Sequence, residues 1–178
     1  MNFRVGLGYD VHPFAGEASG RRLVLGGVTI EGCEGLAGHS DADAVAHSVA
    51  DALLGPSGLD DLGTMFPASD DRYRDANSME LLDVVVAKVW ARGWGVSNVD
   101  IVITAERPRL GPYVSEMRER VSVALLPLAV HLEGDVESPT NNTVFVSITA
   151  KRGEGIGSIG RGEGIEVRAV ALLARRPR

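Results

Sequence analysis

Along residues 3–12 (FRVGLGYDVH) apolar and polar positions alternate. Phe3, Val5, Leu7 and Tyr9 fall on one side, and Asp10 and His12 fall on the other with Gly6 and Gly8. A period of two predicts a strand. The two glycines leave its polar side open to a ligand or to another backbone. Residues 14–21 read as a Gly/Ser loop, residues 22–30 (RLVLGGVTI) as a strand or hairpin broken at Gly26-Gly27, and residues 31–38 as a Gly-rich loop. The period then changes. In HSDADAVAHSVADALLG (39–55), Ala42, Val45, Val49, Ala52 and Leu53 recur at helical spacing, and neither Gly nor Pro appears before Gly55. Ser40 and Asp41 are residues of the N-cap type. Asp43, His47 and Asp51, spaced by four, form a polar stripe on that helix. His39 precedes its first turn, where free N–H groups and the helix dipole favour an anion. Taken alone, the stripe reads equally well as a solvated helix face carrying two ordinary histidines.

The stretch after Gly55 is loop with one possible helical turn. Asn77, with Glu80 three residues on, predicts a capped helix whose apolar face is Leu81, Leu82, Val85, Val86, Val89 and Trp90, ending at Gly93. Residues 98–105 read as a strand. Pro108, Gly111 and Pro112 make a turn, and Val114, Met117, Val121 and Leu125 mark a third helix. Residues 131–143 read as a polar loop, 144–150 as a strand and 151–164 as a second Gly-rich loop. Residues 165–174 alternate, and both faces become apolar toward the end, which predicts burial on both sides there, against another subunit for example. Strands at both ends with helices between predict a single α+β domain over residues 1–178, a sheet covered by helices on one face.

Composition narrows the function. The chain has 178 residues and 44% hydrophobic residues, enough for a sizeable core. The net charge of −6 argues against broad binding of nucleic acid or anionic membranes, which a basic surface would drive. The single cysteine, Cys33, excludes an intrachain disulfide and a thiolate-rich zinc site. The start, MNFRVGLGYDVH, has no signal-peptide or transit-peptide character. No apolar run has membrane-spanning length. The expected setting is a bacterial cytoplasm.

The candidate chemistry is a metal site. Asp10 and His12, at i and i+2 on a strand, point the same way. His47 from the helix would complete a three-ligand set with one open position, as in catalytic rather than structural zinc sites. The same ligand types would also allow a two-His-one-carboxylate iron oxygenase. Other residues suit a phosphorylated ligand. Ser40 and the adjoining backbone can donate to phosphate, and Asp61 and Gly63 can hold a sugar hydroxyl. Arg161 lies in a glycine loop, and Glu154 could hold a hard cation such as magnesium.

Five segments together, GYDVHPF (8–14), GHSDADAVAHSVADALLG (38–55), GLDDLGTMFP (58–67), NVDIVITAERPRLGPY (98–113) and GRGEGIEVRAVALL (160–173), resemble the 2-C-methyl-D-erythritol 2,4-cyclodiphosphate synthases of non-mevalonate isoprenoid synthesis. The resemblance implies a homotrimer with active sites at subunit interfaces. It implies the substrate 4-diphosphocytidyl-2-C-methyl-D-erythritol 2-phosphate, whose 2-phosphate attacks the β-phosphorus of its own diphosphate with release of CMP. It implies zinc on Asp10, His12 and His47, and magnesium or manganese on the diphosphate beside Glu154. It places His39 and Ser40 against phosphate. Asp61, Leu62, Gly63, Phe66 and Asp70 fall at the erythritol part and its 2-phosphate. Ala105, Pro108, Arg109, Leu110 and Gly111 fall at cytosine. Arg161 and Glu163 line a central channel that can hold an isoprenoid diphosphate.

The chain departs from that pattern after the strand at residues 144–150. Lys151-Arg152-Gly153 precedes Glu154 where the family has a Thr-Thr-Thr-Glu run, so Arg152 occupies the place of a threonine that positions phosphate in the transition state. A guanidinium can bind phosphate too, but it is far larger. Ser158 stands where a Phe or Leu is common near the channel mouth. These differences leave a second expectation beside the cyclase, a non-catalytic relative that binds zinc and a phosphorylated ligand without turnover.

Overall fold

The computed structural model describes residues 2–130 and 143–176, so the expected 131–143 loop lies outside the described residues apart from Thr143. The fold is α+β. A four-stranded sheet has the order β1 (Phe3–Pro13), β6 (Gly164–Arg175), β4 (Trp94–Ala105) and β5 (Phe145–Lys151). β6 runs antiparallel to both neighbours and β5 parallel to β4. A separate hairpin pairs β2 (Arg22–Leu25) with β3 (Val28–Glu34), turning at the expected Gly26-Gly27 break. Three long helices, α1 (Ala44–Ser57), α3 (Ser78–Ala91) and α4 (Val114–Leu125), cover one face of the sheet. Short helices α2 (Leu62–Met65) and α5 (Gly157–Gly160) lie in the two loops that the sequence left irregular. Val99, Ile101 and Ile103 of β4 and Val167, Ala169 and Ala171 of β6 meet Leu53, Leu82, Val85 and Met117 in one core. Among the described residues no helix is long and apolar enough to cross a membrane.

The glycines of β1 are occupied by backbone. A Cβ on Gly6 would lie 1.9 Å from the carbonyl oxygen of Ala52, and one on Gly8 would lie 1.8 Å from that of Ser48. Helix α1 therefore sits directly against the strand. This close approach brings the first turn of α1 beside the end of β1, where Asp10 and His12 project.

The entry of α1 differs from the expectation. Ala42 adopts φ 58°, so the chain is still turning at that residue, and the helix begins at Ala44. Its N-cap is Asp43 rather than Ser40 or Asp41. Asp43 is fully buried and does not belong to a polar stripe. Its carboxylate accepts from the backbone N–H groups of Val45, Ala46, Gly26 and Gly27. Asp41 instead accepts from the N–H of Ser78 at the start of α3, next to the N-cap Asn77, which accepts from Met79 as expected. The helix also continues through Gly55 and Pro56 to Ser57.

The other sheet face is uncovered within the chain. Val5 is 69% exposed and Leu7 67% exposed, and Phe3, Tyr9, Val11, Phe145 and Val170 are exposed too. Along β6 the outer side passes from open at Val170 through half-buried Leu172 to buried Ala174, so within one chain burial on both sides is reached only at its very end.

Candidate metal centre

Strand β1 and helix α1 supply the three expected donors. Asp10 Oδ2 lies 3.0 Å from His12 Nε2 and 3.0 Å from His47 Nδ1. The two ring nitrogens are 3.3 Å apart. Donors held tetrahedrally at about 2.0–2.1 Å from one ion stand roughly 3.3 Å from each other. The triangle fits a single metal ion, and all three residues line the adjoining cavity. Asp10, His12 and His47 are the group of at least three metal-ligating side chains that converges in this way among the described residues.

The protonation pattern suits that role. His12 Nδ1 lies 2.7 Å from the carbonyl oxygen of Ala37. A carbonyl only accepts, so Nδ1 carries a proton and Nε2 is the nitrogen left to face Asp10 or a metal ion at the centre. On the other ring, His47 Nε2 faces the hydroxyls of Ser78 at 2.9 Å and Ser40 at 3.2 Å. Burial pushes the Asp10 carboxyl up, but hydrogen bonds from His12 and His47 and their charges outweigh it and hold the group at about 2. Burial pushes His12 down, and the hydrogen bond and charge of Asp10 outweigh that, leaving it raised.

The triangle forms one wall of a cavity of about 290 Å³, also lined by His39, Ser40, Asp51, Leu62, Gly63 and Phe66. Asp51 accepts from the N–H of Leu62, at 2.8 Å, and ties α2 to α1. His39 Nε2 is buried there without a hydrogen-bond partner. The expected anion site at the start of α1 is not available, because the Asp43 carboxylate takes the N–H groups of Val45 and Ala46. Any anion in this cavity must be met by side chains and by the backbone of the neighbouring loops.

A second cavity, of about 650 Å³, is lined by Ala105, Pro108, Arg109, Leu110, Gly111, Lys151 and Arg152. It shares no lining residue with the first. Arg152 pairs with Glu106 on its wall. That hydrogen bond lowers the Glu106 carboxyl and raises the Arg152 guanidinium. Glu154, Ser158 and Arg161 are exposed and line neither cavity, and Arg161 is paired with Glu163 at 2.6 Å. Asp61 caps α2, accepting from Thr64 at 2.7 Å, and Asp70 pairs with Arg72 at 2.6 Å; neither lines the first cavity. Asp51, Tyr73 and Leu81 line it without having been singled out as ligand contacts. The i, i+4 spacing of Asp51 from His47 was the available signal. Tyr73 and Leu81 carried none, since a Tyr in a loop and a Leu on a helix read as ordinary packing.

This fold and this donor set define a protein with a candidate metal centre that opens onto a cavity. The comparisons give the particular family: the chain belongs to the YgbB family, whose model matches residues 3–174. A 2-C-methyl-D-erythritol 2,4-cyclodiphosphate synthase of Moorella thermoacetica is 49% identical over 97% of this chain and 96% of its own length. A solved bifunctional IspDF of Campylobacter jejuni superposes with a TM-score of 0.81 at 35% identity, covering 97% of this chain and 42% of its own. The IspF of Plasmodium falciparum, solved as a CDP complex, superposes with a TM-score of 0.76 at 28% identity over 99% and 98%.

Proposed function

We propose that the chain converts 4-diphosphocytidyl-2-C-methyl-D-erythritol 2-phosphate to 2-C-methyl-D-erythritol 2,4-cyclodiphosphate and CMP. The observation that carries this reading is the Asp10–His12–His47 triangle opening onto a cavity with an unpartnered buried imidazole nitrogen at His39. A bond forms between an oxygen of the 2-phosphate and the β-phosphorus, the bond from that phosphorus to the bridging oxygen breaks, and CMP leaves with the oxygen. The substrate brings its own nucleophile, so no protein nucleophile is required. The protein's work is positioning and charge stabilisation.

Zinc on Asp10, His12 and His47, with magnesium or manganese on the diphosphate beside Glu154, supplies when bound Lewis-acid polarisation and a template for the displacement. His39 and Ser40 donate to phosphate oxygens. The loop from Asp61 to Gly63, with Phe66 and Asp70, holds the erythritol part and its 2-phosphate. Ala105 and residues 108–111 enclose cytosine, a reading supported by the CDP in the Plasmodium structure. Lys151 and Arg152 offset diphosphate charge from the wall of that cavity. In one chain the metal cavity and the cytosine cavity are separate. A homotrimer, packed through the uncovered apolar sheet face, would join the metal cavity of one subunit to the cytosine cavity of the next. Arg161 and Glu163 would then border a channel for an isoprenoid diphosphate. The setting is the bacterial cytoplasm.

Metal-reconstituted protein incubated with the cytidyl substrate should release CMP, and His47→Ala should abolish release while the far-ultraviolet circular dichroism is kept. Absence of CMP from the reconstituted wild type contradicts the assignment, and favours ligand binding without turnover if the nucleotide still binds.

A further inference from the structure

Behind the metal triangle lies a short chain of hydrogen bonds that the proposed reaction does not use. Ser78 opens α3 and is buried, and its Oγ is 2.9 Å from His47 Nε2. The same hydroxyl donates to Asp41 Oδ1, and the Asp41 carboxylate also accepts from the Ser78 N–H at 3.2 Å. An ionised carboxylate can only accept, so the one proton of the Ser78 hydroxyl is committed to Asp41. Toward His47, Ser78 then offers only a lone pair. His47 Nε2 must carry a proton to meet it, so when a metal ion displaces the proton that Nδ1 otherwise shares with Asp10, Nδ1 is the nitrogen left with a lone pair.

We infer that Ser78, held by Asp41, is a positioning residue that fixes the tautomer and ring orientation of His47 for metal binding; the inference rests on the metal-centre reading above. The two histidines are thereby set by different means. His12 is held by the backbone carbonyl of Ala37, which no side-chain substitution removes, whereas His47 depends on a hydroxyl from another helix. Ser40 is the lesser partner. Its hydroxyl is 3.2 Å from His47 Nε2, and it accepts from the Ala42 N–H. Ser40 Oγ is also 3.1 Å from Ser78 Oγ, whose own proton is committed to Asp41, so Ser40 donates to Ser78 and a ligand in the cavity would compete for that proton rather than for one held by a carboxylate. The arrangement therefore assigns the two serines different tasks, Ser78 to the imidazole and Ser40 to the substrate. Partners of this kind, outside the ligands themselves, typically change metal affinity by about 10–100-fold.

The test is zinc affinity, measured by competition with a chromophoric chelator, for wild type, Ser78→Ala, Ser78→Thr, Ser40→Ala and His47→Ala. Ser78→Ala should lose about 10–100-fold. Ser78→Thr keeps the hydroxyl and should restore most of the loss, and Ser40→Ala should bind zinc nearly as wild type does. In the zinc-loaded wild type the His47 Nε2 proton should exchange slowly with water, as a proton bonded to buried Ser78 does, and quickly in Ser78→Ala; zinc on Nδ1 alone would place the proton on Nε2 without slowing its exchange. Unchanged affinity in Ser78→Ala, an equal loss in Ser40→Ala, or a fast-exchanging His47 Nε2 proton in the wild type overturns the inference. The wild-type exchange rate decides the matter even if Ser78→Ala does not fold. If His47→Ala binds zinc like wild type, the metal-centre reading itself fails, which is a different result from a silent Ser78→Ala.

Discussion

Asp10 sets the electrostatics of the centre. Its carboxylate touches both imidazoles and stays ionised down to about 2, so across the working range it supplies a fixed negative charge. His12 is lowered by burial but raised more by the hydrogen bond and charge of Asp10, and stands above its ordinary 6.5. In metal-free protein the signs are opposite at the two ends of the scale. The depressed Asp10 contributes stability above its unfolded value of 3.8 that is lost as pH falls through about 2. The raised His12 contributes stability that is complete below 6.5 and is lost as pH rises through its folded value. For the metal the order reverses, because a cation and a proton compete for the same Nε2. Zinc affinity should therefore fall as the medium is acidified through the raised His12 value, by about tenfold per pH unit for the one proton displaced. Chelator competition from pH 5.5 to 8.5 checks this, and a flat profile would show that His12 Nε2 is not a ligand.

At the level of elements, the site exists because a strand and a helix come unusually close. Gly6 and Gly8 admit the carbonyls of Ala52 and Ser48, and Asp43 clamps the start of α1 to the turn between β2 and β3. Gly8→Ala would push a methyl group against the Ser48 carbonyl. It should destabilise the fold by about 1–3 kcal/mol or more and separate His47 from Asp10 and His12. Chemical denaturation together with zinc binding checks both effects, and full zinc affinity in a folded Gly8→Ala protein would contradict the packing account. The open side of β1 was legible in the alternation of residues 3–12, and so were the three metal donors, because strand and helix periods aim side chains predictably. The cap of α1 was not legible. Ser40, Asp41 and Asp43 are all good cap residues, and only the positive φ at Ala42 and the hairpin turn of Gly26 and Gly27 select Asp43. Ser78 escaped notice for a related reason. It reads as the residue after the Asn77 cap, and its contact with His47 spans 31 residues of chain. Glu106 as the partner of Arg152 is likewise a long-range meeting, made where β4 and β5 end side by side.

Across the whole molecule, two features point outward. The metal cavity and the cavity of Lys151 and Arg152 have no lining residue in common, and one sheet face leaves Val5, Leu7, Tyr9 and Val170 open. A contiguous apolar face of this kind on an otherwise polar protein calls for a partner. The proposed self-assembly through it would answer both features at once. Leu7→Glu should leave the chain folded, shift sedimentation from trimer to monomer and cut CMP release by more than tenfold, an effect of more than about 1.4 kcal/mol. A wild type that sediments only as monomer would contradict the assembly. The central claim is narrower, that β1 and α1 together hold one divalent ion, and anomalous diffraction from crystals of the zinc-loaded protein tests it most directly. The account predicts one zinc peak per chain, bonded to Asp10 Oδ2, His12 Nε2 and His47 Nδ1 at about 2.0–2.2 Å. A peak elsewhere, or one bonded to His47 through Nε2, would contradict it.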